Sequence, residues 1–147
     1  NKFVADWFEF NLNINNILTA LTCRKYGWDI KSAIVGDNVV AETIRSSVSA
    51  RDFNLKSEID YFDALVSISE TSNLLDREHR IDALKWNWLE ENTFFSSFSI
   101  EKVLSFWLRC ELMHRWDNLT MEEGAEIFRQ MINDLKKDVK FWYLILT

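Results

Sequence analysis

The fold is decided by the stretch from Phe3 to Gly27, which reads FVADWFEFNLNINNILTALTCRKYG. Its large apolar residues recur at steps of three and four residues, at Phe3, Trp7, Phe10, Ile14, Ile17 and Leu21. This spacing predicts one apolar stripe along a helix of about six turns, at about 3.6 residues per turn. Gly27 tolerates a positive φ, so it is expected to end the helix. A stripe of this length needs other helices to cover it.

Composition favours an all-α domain in which further helices surround this first one. The chain has 147 residues, no proline and three glycines, so few residues interrupt a helix. Eleven Phe, seven Trp and three Tyr can fill a core, and burial is their commonest use. We predict a bundle of about six helices that forms a single domain over residues 1–147. Because the sequence does not begin with Met, we expect it to be a fragment of a longer chain.

Later apolar patterns predict a second to a sixth helix. They are expected from Asp37 or Asn38 to about Ser47, from near Lys56 to the break at 71–73, from Leu74 to about Glu91, from just after Ser99, and from Thr120 onward. Inward residues of the third and fourth are expected at Leu55, Ile59, Phe62 and Val66, and at Leu74, Ile81, Leu84 and Trp88. Residues 28–35 are short and mixed in character, so no helix is predicted there.

The fifth and sixth helices have the most apolar patterns. The fifth is apolar nearly all round, which predicts packing on several sides. Its stripe is expected at Ile100, Val103, Trp107 and Cys110, with Phe98 and Val103 placed as a hydrophobic staple. The sixth begins at a T-x-x-E capping box, Thr120 to Glu123, and its stripe is expected at Phe128, Ile132, Leu135, Val139, Trp142 and Leu146.

Charge and cysteine content exclude several partner classes. The net charge is −6, and the longest basic runs are the pairs Arg24-Lys25 and Lys136-Lys137. Nucleic-acid binding needs clustered basic residues, so we expect no nucleic-acid partner. No apolar run approaches the ~20 residues of a membrane span, and no signal peptide is recognisable. Cys23 and Cys110 lie outside any C-x-x-C motif, so we expect a cytoplasmic protein.

Glu111 and His114 are the best candidates for metal ligands. They stand at i and i+3 on one helix face, the spacing that di-iron bundle proteins use. The alternative is structural: Glu111 pairs with Arg115 at i+4, and His114 is a hydrogen-bonded residue of the core or its boundary.

A complete di-metal site would need further ligands from other helices. Asp76 and His79 form a second i, i+3 pair, but they point away from the apolar stripe of their own helix. Glu42 or Glu58 would have to supply an additional carboxylate. We therefore expect no metal and no cofactor, and a di-metal bundle enzyme stands only as a further alternative.

Catalytic motifs of other classes are missing from the sequence. Neither histidine has a serine or cysteine at a spacing known from nucleophilic enzymes, and there is no G-x-S-x-G or glycine-rich phosphate loop. Cys23 and Cys110 lie on apolar stripes, where cysteine behaves as a small apolar residue. We expect a protein that is not an enzyme.

The carboxyl-terminal end is the clearest candidate for partner binding. Residues 141–146 are six consecutive apolar residues, and an exposed run of this kind promotes aggregation unless something covers it. We expect it to pack on a continuation of the chain or on a partner. Phe141, Trp142 and Tyr143, together with Trp116, are the candidate partner-binding residues.

Asparagines within the first helix are unusual, because asparagine is a poor helix former. Solvation at the surface explains some of them. For Asn13 and Asn16, which stand at i and i+3, the alternative is that they meet polar groups of a neighbouring helix.

Two stretches resemble one protein family. Phe3-Val4, Asn13-x-x-Asn16-Ile17, Leu21, Arg24 and Gly27 are similar to the repeat of the C subunit, also called the d subunit, of V-type and archaeal-type rotary ATPases. The stretch 103–111 is similar to a later helix of that family. This chain has Asn13 and Thr22 where the family pattern has Asp and Arg.

The resemblance implies a divergent bacterial relative of this V-type ATPase component, of uncharacterised type. In that family the protein is a helical socket between the proteolipid ring and the rotor shaft, and it transmits torque without chemistry, in proton or sodium ion transport. Other V-type ATPase subunits are then the expected partners, and contact with a membrane is expected only indirectly, through that complex. The alternative is a free-standing helical interaction or regulatory domain that uses the 141–146 end.

Overall fold

Seven α-helices make up the computed structural model, which describes the backbone of residues 1–117 and 121–145 and the side chains of 1–117 and 124–136. They are α1 (Lys2–Tyr26), α2 (Ile30–Ala33), α3 (Val39–Ser46), α4 (Phe62–Ser69), α5 (Leu74–Glu91), α6 (Ile100–Asp117) and α7 (Met121–Ile145). The described residues contain no strand, which confirms the all-α prediction. The extra helix is α2, a single turn in the stretch for which no helix was predicted.

The chain divides into two compact units, one from Asn1 to Ser105 and one from Phe106 to Thr147. The division lies inside α6. The prediction of one domain over residues 1–147 stays a prediction.

The two ends of α1 are fixed by local hydrogen bonds. The Asn1 side chain accepts from the backbone N–H of Phe3 at 2.9 Å, which satisfies one of the free donors of the first turn. Gly27 has φ of 70°. Its N–H donates to Arg24 and that of Trp28 donates to Cys23, which is a Schellman ending. Helix α1 therefore ends at the glycine, as predicted.

The apolar stripe of α1 is the core of the first unit. Phe3, Trp7, Phe10, Ile14 and Ile17 are buried as predicted, and the last turns bury Ala20 and Cys23 while Leu21 is half-buried. Helices α2, α3 and α4 all pack on α1. Helix α5 adds Trp88, whose ring lies 5.0 Å from that of Phe10, 5.5 Å from that of Trp7 and 5.8 Å from that of Phe3.

The prediction of a helix from Lys56 was wrong, because α4 begins only at Phe62. Residues 47–61 form successive turns whose N–H groups mostly bond three residues back. Leu55 and Ile59 are buried as predicted, but they lie among turns and not in a helix. The spacing of these residues predicted a helix because successive turns of three or four residues bury side chains at the same interval as a helix does.

Helix α5 has the predicted bounds but not all of the predicted stripe. The Asn73 side chain caps it by accepting from Leu75 and Asp76. Ile81 is buried, whereas Leu74 is exposed because it lies in the first turn, before α5 reaches the core.

The prediction that α6 packs on several sides was wrong for its described side chains. Ser105 is its one buried residue, and Ile100, Val103, Trp107 and Cys110 are exposed. The Ser105 hydroxyl donates to the Leu89 carbonyl at 3.2 Å. Within the first unit, α6 therefore contacts α5 through a small residue, and its large residues Ile100 and Val103 stay exposed.

Within the part of the chain that the structure describes, none of the helices combines the length and the apolar character needed to cross a bilayer.

Candidate interaction surface

The asparagines of the resemblance are buried and bind the connection between α2 and α3. The Asn16 side chain donates to the Val35 carbonyl at 2.8 Å and accepts from the Val35 N–H at 3.1 Å. The Asn13 carbonyl oxygen accepts from the Asn38 side chain at 2.7 Å. The alternative that both meet polar groups is confirmed, although their partners belong to a connection and a helix cap.

Asn38 joins this network to the start of α3. Its side-chain oxygen accepts from the N–H of Ala41 at 3.0 Å and so caps the helix. Its side-chain nitrogen also donates to Glu9 at 3.2 Å. The side chain of Asn38 thus joins the start of α3 to Asn13 and Glu9 of α1.

Tyr61 lies at the edge of this network, just before α4 begins. The Tyr61 ring packs edge-on against Phe10 at 5.0 Å. Burial raises the pKa of the Tyr61 phenol above its usual value of 10.0. The cause is that a buried phenolate loses hydration.

We predict that unfolding becomes easier at alkaline pH because of Tyr61. A raised folded-state pKa contributes stability below the unfolded pKa, and this contribution is lost as pH rises through the folded pKa. Alkaline titration of phenolate absorbance should show one late tyrosine that Tyr61→Phe removes. A wild-type titration that matches Tyr61→Phe plus one ordinary phenol would contradict the prediction.

Arg24, the basic residue of the resemblance, is also used inside the fold. Its guanidinium donates to the carbonyls of Ala50 at 2.7 Å, Val48 at 3.1 Å and Arg51. It also lies 3.7 Å from the centroid of the Phe53 ring. Asn13, Asn16 and Arg24, the polar residues of the first resembling stretch, therefore make their contacts inside the fold.

The most exposed rings of the first unit lie in the aromatic loop, which we define as residues 92–99 between α5 and α6. Phe94, Phe95 and Phe98 are 67%, 92% and 108% exposed. The sequence identifies this connection as Ser- and Phe-rich, but its composition alone did not predict a surface. The available signal was that rings in a short connection have no helical stripe to join.

Hydrogen bonds fix the backbone of the aromatic loop. The Thr93 hydroxyl donates to the Leu89 carbonyl at 2.7 Å, and the Ser96 N–H donates to the Thr93 carbonyl at 3.1 Å. The Lys102 ammonium donates to the same carbonyl at 3.1 Å. The backbone that carries the three rings is therefore held by hydrogen bonds at the buried residue Thr93. The rings of Phe94 and Phe95 lie edge to face, with their centroids 4.9 Å apart.

Phe98 has a backbone conformation that is unfavourable for its residue type, with φ of 56°. A side chain in this region costs roughly 1–2 kcal/mol. The ring is fully exposed, so the predicted staple between Phe98 and Val103 was wrong. The reason is that the positive φ turns the ring away from α6. Strain of this kind is concentrated at functional sites.

We predict that Phe98→Gly leaves the folded unit as stable as the parent or more stable, by up to about 1 kcal/mol. Glycine relieves the positive φ, and its larger unfolded entropy offsets part of the gain. Phe95→Gly is the matched control, because Phe95 does not have a positive φ; it should lose about 0.5–1 kcal/mol. Urea denaturation measures both. Equal losses in the two variants would show that Phe98 is not strained.

A second apolar surface lies on α7. Ile127, Phe128, Met131 and Leu135 are exposed, and Ile132 is half-buried. At about 100° per residue these five share one face of the helix. The stripe predicted from Phe128 through Leu135 therefore exists as a helix face, but its described residues are exposed instead of forming a core.

The structure places the predicted partner-binding residues in the second unit. Trp116 is half-buried, and the Arg115 guanidinium lies 5.3 Å from its ring. Phe141, Trp142 and Tyr143 belong to the backbone of α7, and their side chains lie outside the described residues. Their role in partner binding stays a prediction.

The candidate metal ligands do not converge in the described part of the chain. Glu111 and His114 are exposed on α6. Glu42 forms an ion pair with Arg45 at 2.7 Å. Among the described residues no group of three or more His, Cys, Asp or Glu is arranged to hold a metal ion. Asp76, His79 and Glu58 are exposed residues of the first unit.

Comparison with known proteins gives one result. Residues 1–139 match the family model described as protein of unknown function (DUF2764). No curated protein and no solved structure matches the chain. Because the matched range covers most of the 147 residues, this protein belongs to the DUF2764 family of proteins of unknown function.

Proposed function

We propose that this chain is a non-enzymatic coupling component of the kind represented by the C subunit of V-type ATPases. It would join other proteins of the complex through exposed aromatic surfaces on a stiff helical body. In this proposal the chain is cytoplasmic and reaches a membrane only through its complex.

The observation that carries the proposal is that two residues of the resemblance, Asn16 and Arg24, hold other segments of the chain against α1. Asn16 holds the residues after α2, and Arg24 holds the turns at 48–51. Both project from α1, a rod of 25 residues, or about 38 Å at 1.5 Å per residue. A rod braced near its middle and its end resists bending, as a part that transmits force must.

Exposed rings supply the second requirement, which is a surface for partners. The rings of Phe94, Phe95 and Phe98 project from a bonded loop, so their geometry is set before binding. Rigid aromatic residues are the usual centres of protein interfaces. Contiguous exposed apolar surface on a helical protein is typical of an interaction site.

Co-purification tests the proposal. The tagged chain, expressed with the rotor-shaft and proteolipid subunits of a V-type ATPase from the same genome, should recover them from detergent-solubilised membranes. Phe95→Ser with Phe98→Ser should reduce the recovery at least tenfold, since a lost aromatic anchor costs about 2 kcal/mol.

Phe8→Ser is the matched control for this experiment, because Phe8 is 67% exposed but lies on α1, away from the aromatic loop in the sequence. It should leave the recovery unchanged. If none of the ATPase subunits is recovered by the parent chain, the proposed ATPase role fails.

A free-standing interaction or regulatory domain is the second candidate, and the exposed face of α7 favours it. In that case removal of residues 141–147 should abolish binding of a partner that is not part of an ATPase, while circular dichroism shows the remaining helices intact. Genes for V-type ATPase subunits beside this one would instead support the first candidate.

A further inference from the structure

The aromatic loop borders a depression whose lining mixes rings and carboxylates. The depression has a volume of about 380 Å³ and is lined by Asn87, Glu90, Glu91, Phe94 and Phe95. It lies where α5 ends, so the partial negative charge of the helix carboxyl terminus adds to the field of the two glutamates. A cation is favoured there, and an aromatic face beside it adds cation–π attraction.

Neither glutamate is neutralised by the described part of the chain. Ion pairs of that part include Lys2 with Asp6, Arg45 with Glu42 and Lys56 with Asp63, which involve other carboxylates. Lys102 reaches the loop, but its ammonium donates to the Thr93 carbonyl. The carboxylates beside Phe94 and Phe95 therefore remain available to a cationic group from another molecule.

The same charges argue against a lipid surface as the occupant. Exposed phenylalanines can insert into a bilayer, but the inner faces of biological membranes are anionic and would repel Glu90 and Glu91. A protein segment that carries Arg or Lys beside apolar residues is complementary to both the carboxylates and the rings of this surface. The apolar residues cover the rings, and the cation meets the carboxylates.

We propose that the aromatic loop docks a basic, amphipathic segment of a protein partner. A cationic side chain of that segment enters the depression between Glu90, Glu91 and the rings of Phe94 and Phe95, and its apolar residues cover Phe98. The inference rests on the proposed interaction role and names the chemistry of the partner.

Peptide binding tests this directly, with the full chain. The probe is a fluorescent amphipathic peptide of about 14 residues, or four helical turns, built from Leu and Arg. Its twin carries Glu in place of Arg. The Arg peptide should bind saturably by fluorescence anisotropy, and the Glu twin should bind at least tenfold more weakly.

Variants locate the binding. Phe95→Ser with Phe98→Ser should weaken the Arg peptide about tenfold or more, and Glu90→Gln with Glu91→Gln about fivefold. The matched controls are Phe8→Ser and Glu58→Gln, which alter exposed residues elsewhere in the first unit and should change binding less than twofold. Thermal unfolding of each variant checks that the fold is retained.

Three results would overturn the inference: no saturable binding of the Arg peptide, equal binding of the Glu twin, or losses in the controls as large as in the loop variants. Sedimentation of the parent chain with vesicles of phosphatidylcholine and phosphatidylglycerol, lost in the Phe95→Ser, Phe98→Ser variant, would instead assign the loop to a membrane. The peptide assay contains no ATPase component, so failed co-purification together with positive peptide binding would remove the proposed ATPase role alone.

Discussion

Replacing Asn16 with alanine is expected to destabilise the first unit by about 2–3 kcal/mol. The Asn16 side chain is 3% exposed and satisfies both backbone groups of Val35. Each partly buried group that loses its partner costs about 1–3 kcal/mol. The exposed side chain of Val35 indicates that water reaches part of this backbone, and alanine is the better helix former, so the loss stays below the sum.

The matched control is Asn15→Ala, one position earlier in α1. Asn15 is exposed, so the same substitution there removes no buried bond and should leave stability unchanged or raise it by up to about 0.5 kcal/mol. Urea denaturation followed by circular dichroism compares the two. Equal stability of both variants would show that the bonds to Val35 contribute nothing.

Asn16→Asp separates the two halves of the interaction. An ionised aspartate still accepts from the Val35 N–H but cannot donate to the Val35 carbonyl, and it places a charge in a buried position. It should therefore be at least as destabilising as alanine at neutral pH and recover part of the loss in acid, when the carboxyl group can donate. A loss that does not change with pH would contradict this assignment of donor and acceptor.

The helices that could be predicted are those whose signals are local. The stripe of α1 repeats over many turns, and its ends depend on Asn1 and Gly27 alone. The bounds of α5 follow in the same way from Asn73. A helix with its own cap and its own long period needs no information from distant residues.

Predictions failed where distant contacts decide the structure. The turns at 47–61 depend on Arg24, which is more than twenty residues away in sequence. In the first unit, α6 contacts Leu89 through the small residue Ser105, while Ile100 and Val103 of its predicted stripe are exposed. The candidate surface was missed for a related reason, since exposure of Phe95 and Phe98 depends on how the loop is fixed and not on its composition.

Arg24→Met is the second substitution with a large expected effect, a loss of about 3 kcal/mol. The guanidinium donates to three carbonyls of residues 48–51 and lies against the ring of Phe53, which is fully buried. Burial lowers the pKa of Arg24, but a guanidinium stays charged at neutral pH. Its hydrogen bonds are therefore charge-assisted, and each contributes about 1.5–3 kcal/mol before the cost of desolvation is subtracted. Methionine keeps the packing of the stem and removes every one of these bonds.

Lys25→Met is the control that separates bracing from charge. Lys25 is exposed and adjacent to Arg24 in the last turn of α1. The substitution Lys25→Met therefore removes the same charge beside the same helix terminus, and it should lower the free energy of unfolding by at most about 0.5 kcal/mol.

Amide hydrogen exchange should accelerate at residues 47–55 in Arg24→Met alone, because these turns lose their hydrogen bonds to Arg24 while α1 keeps its Gly27 ending. Arg24→Lys should behave like Arg24→Met in this segment, since one ammonium cannot span three carbonyls and a ring. Exchange that accelerates equally in Arg24→Met and Lys25→Met would mean that the helix-end charge, and not the brace, holds the turns in place.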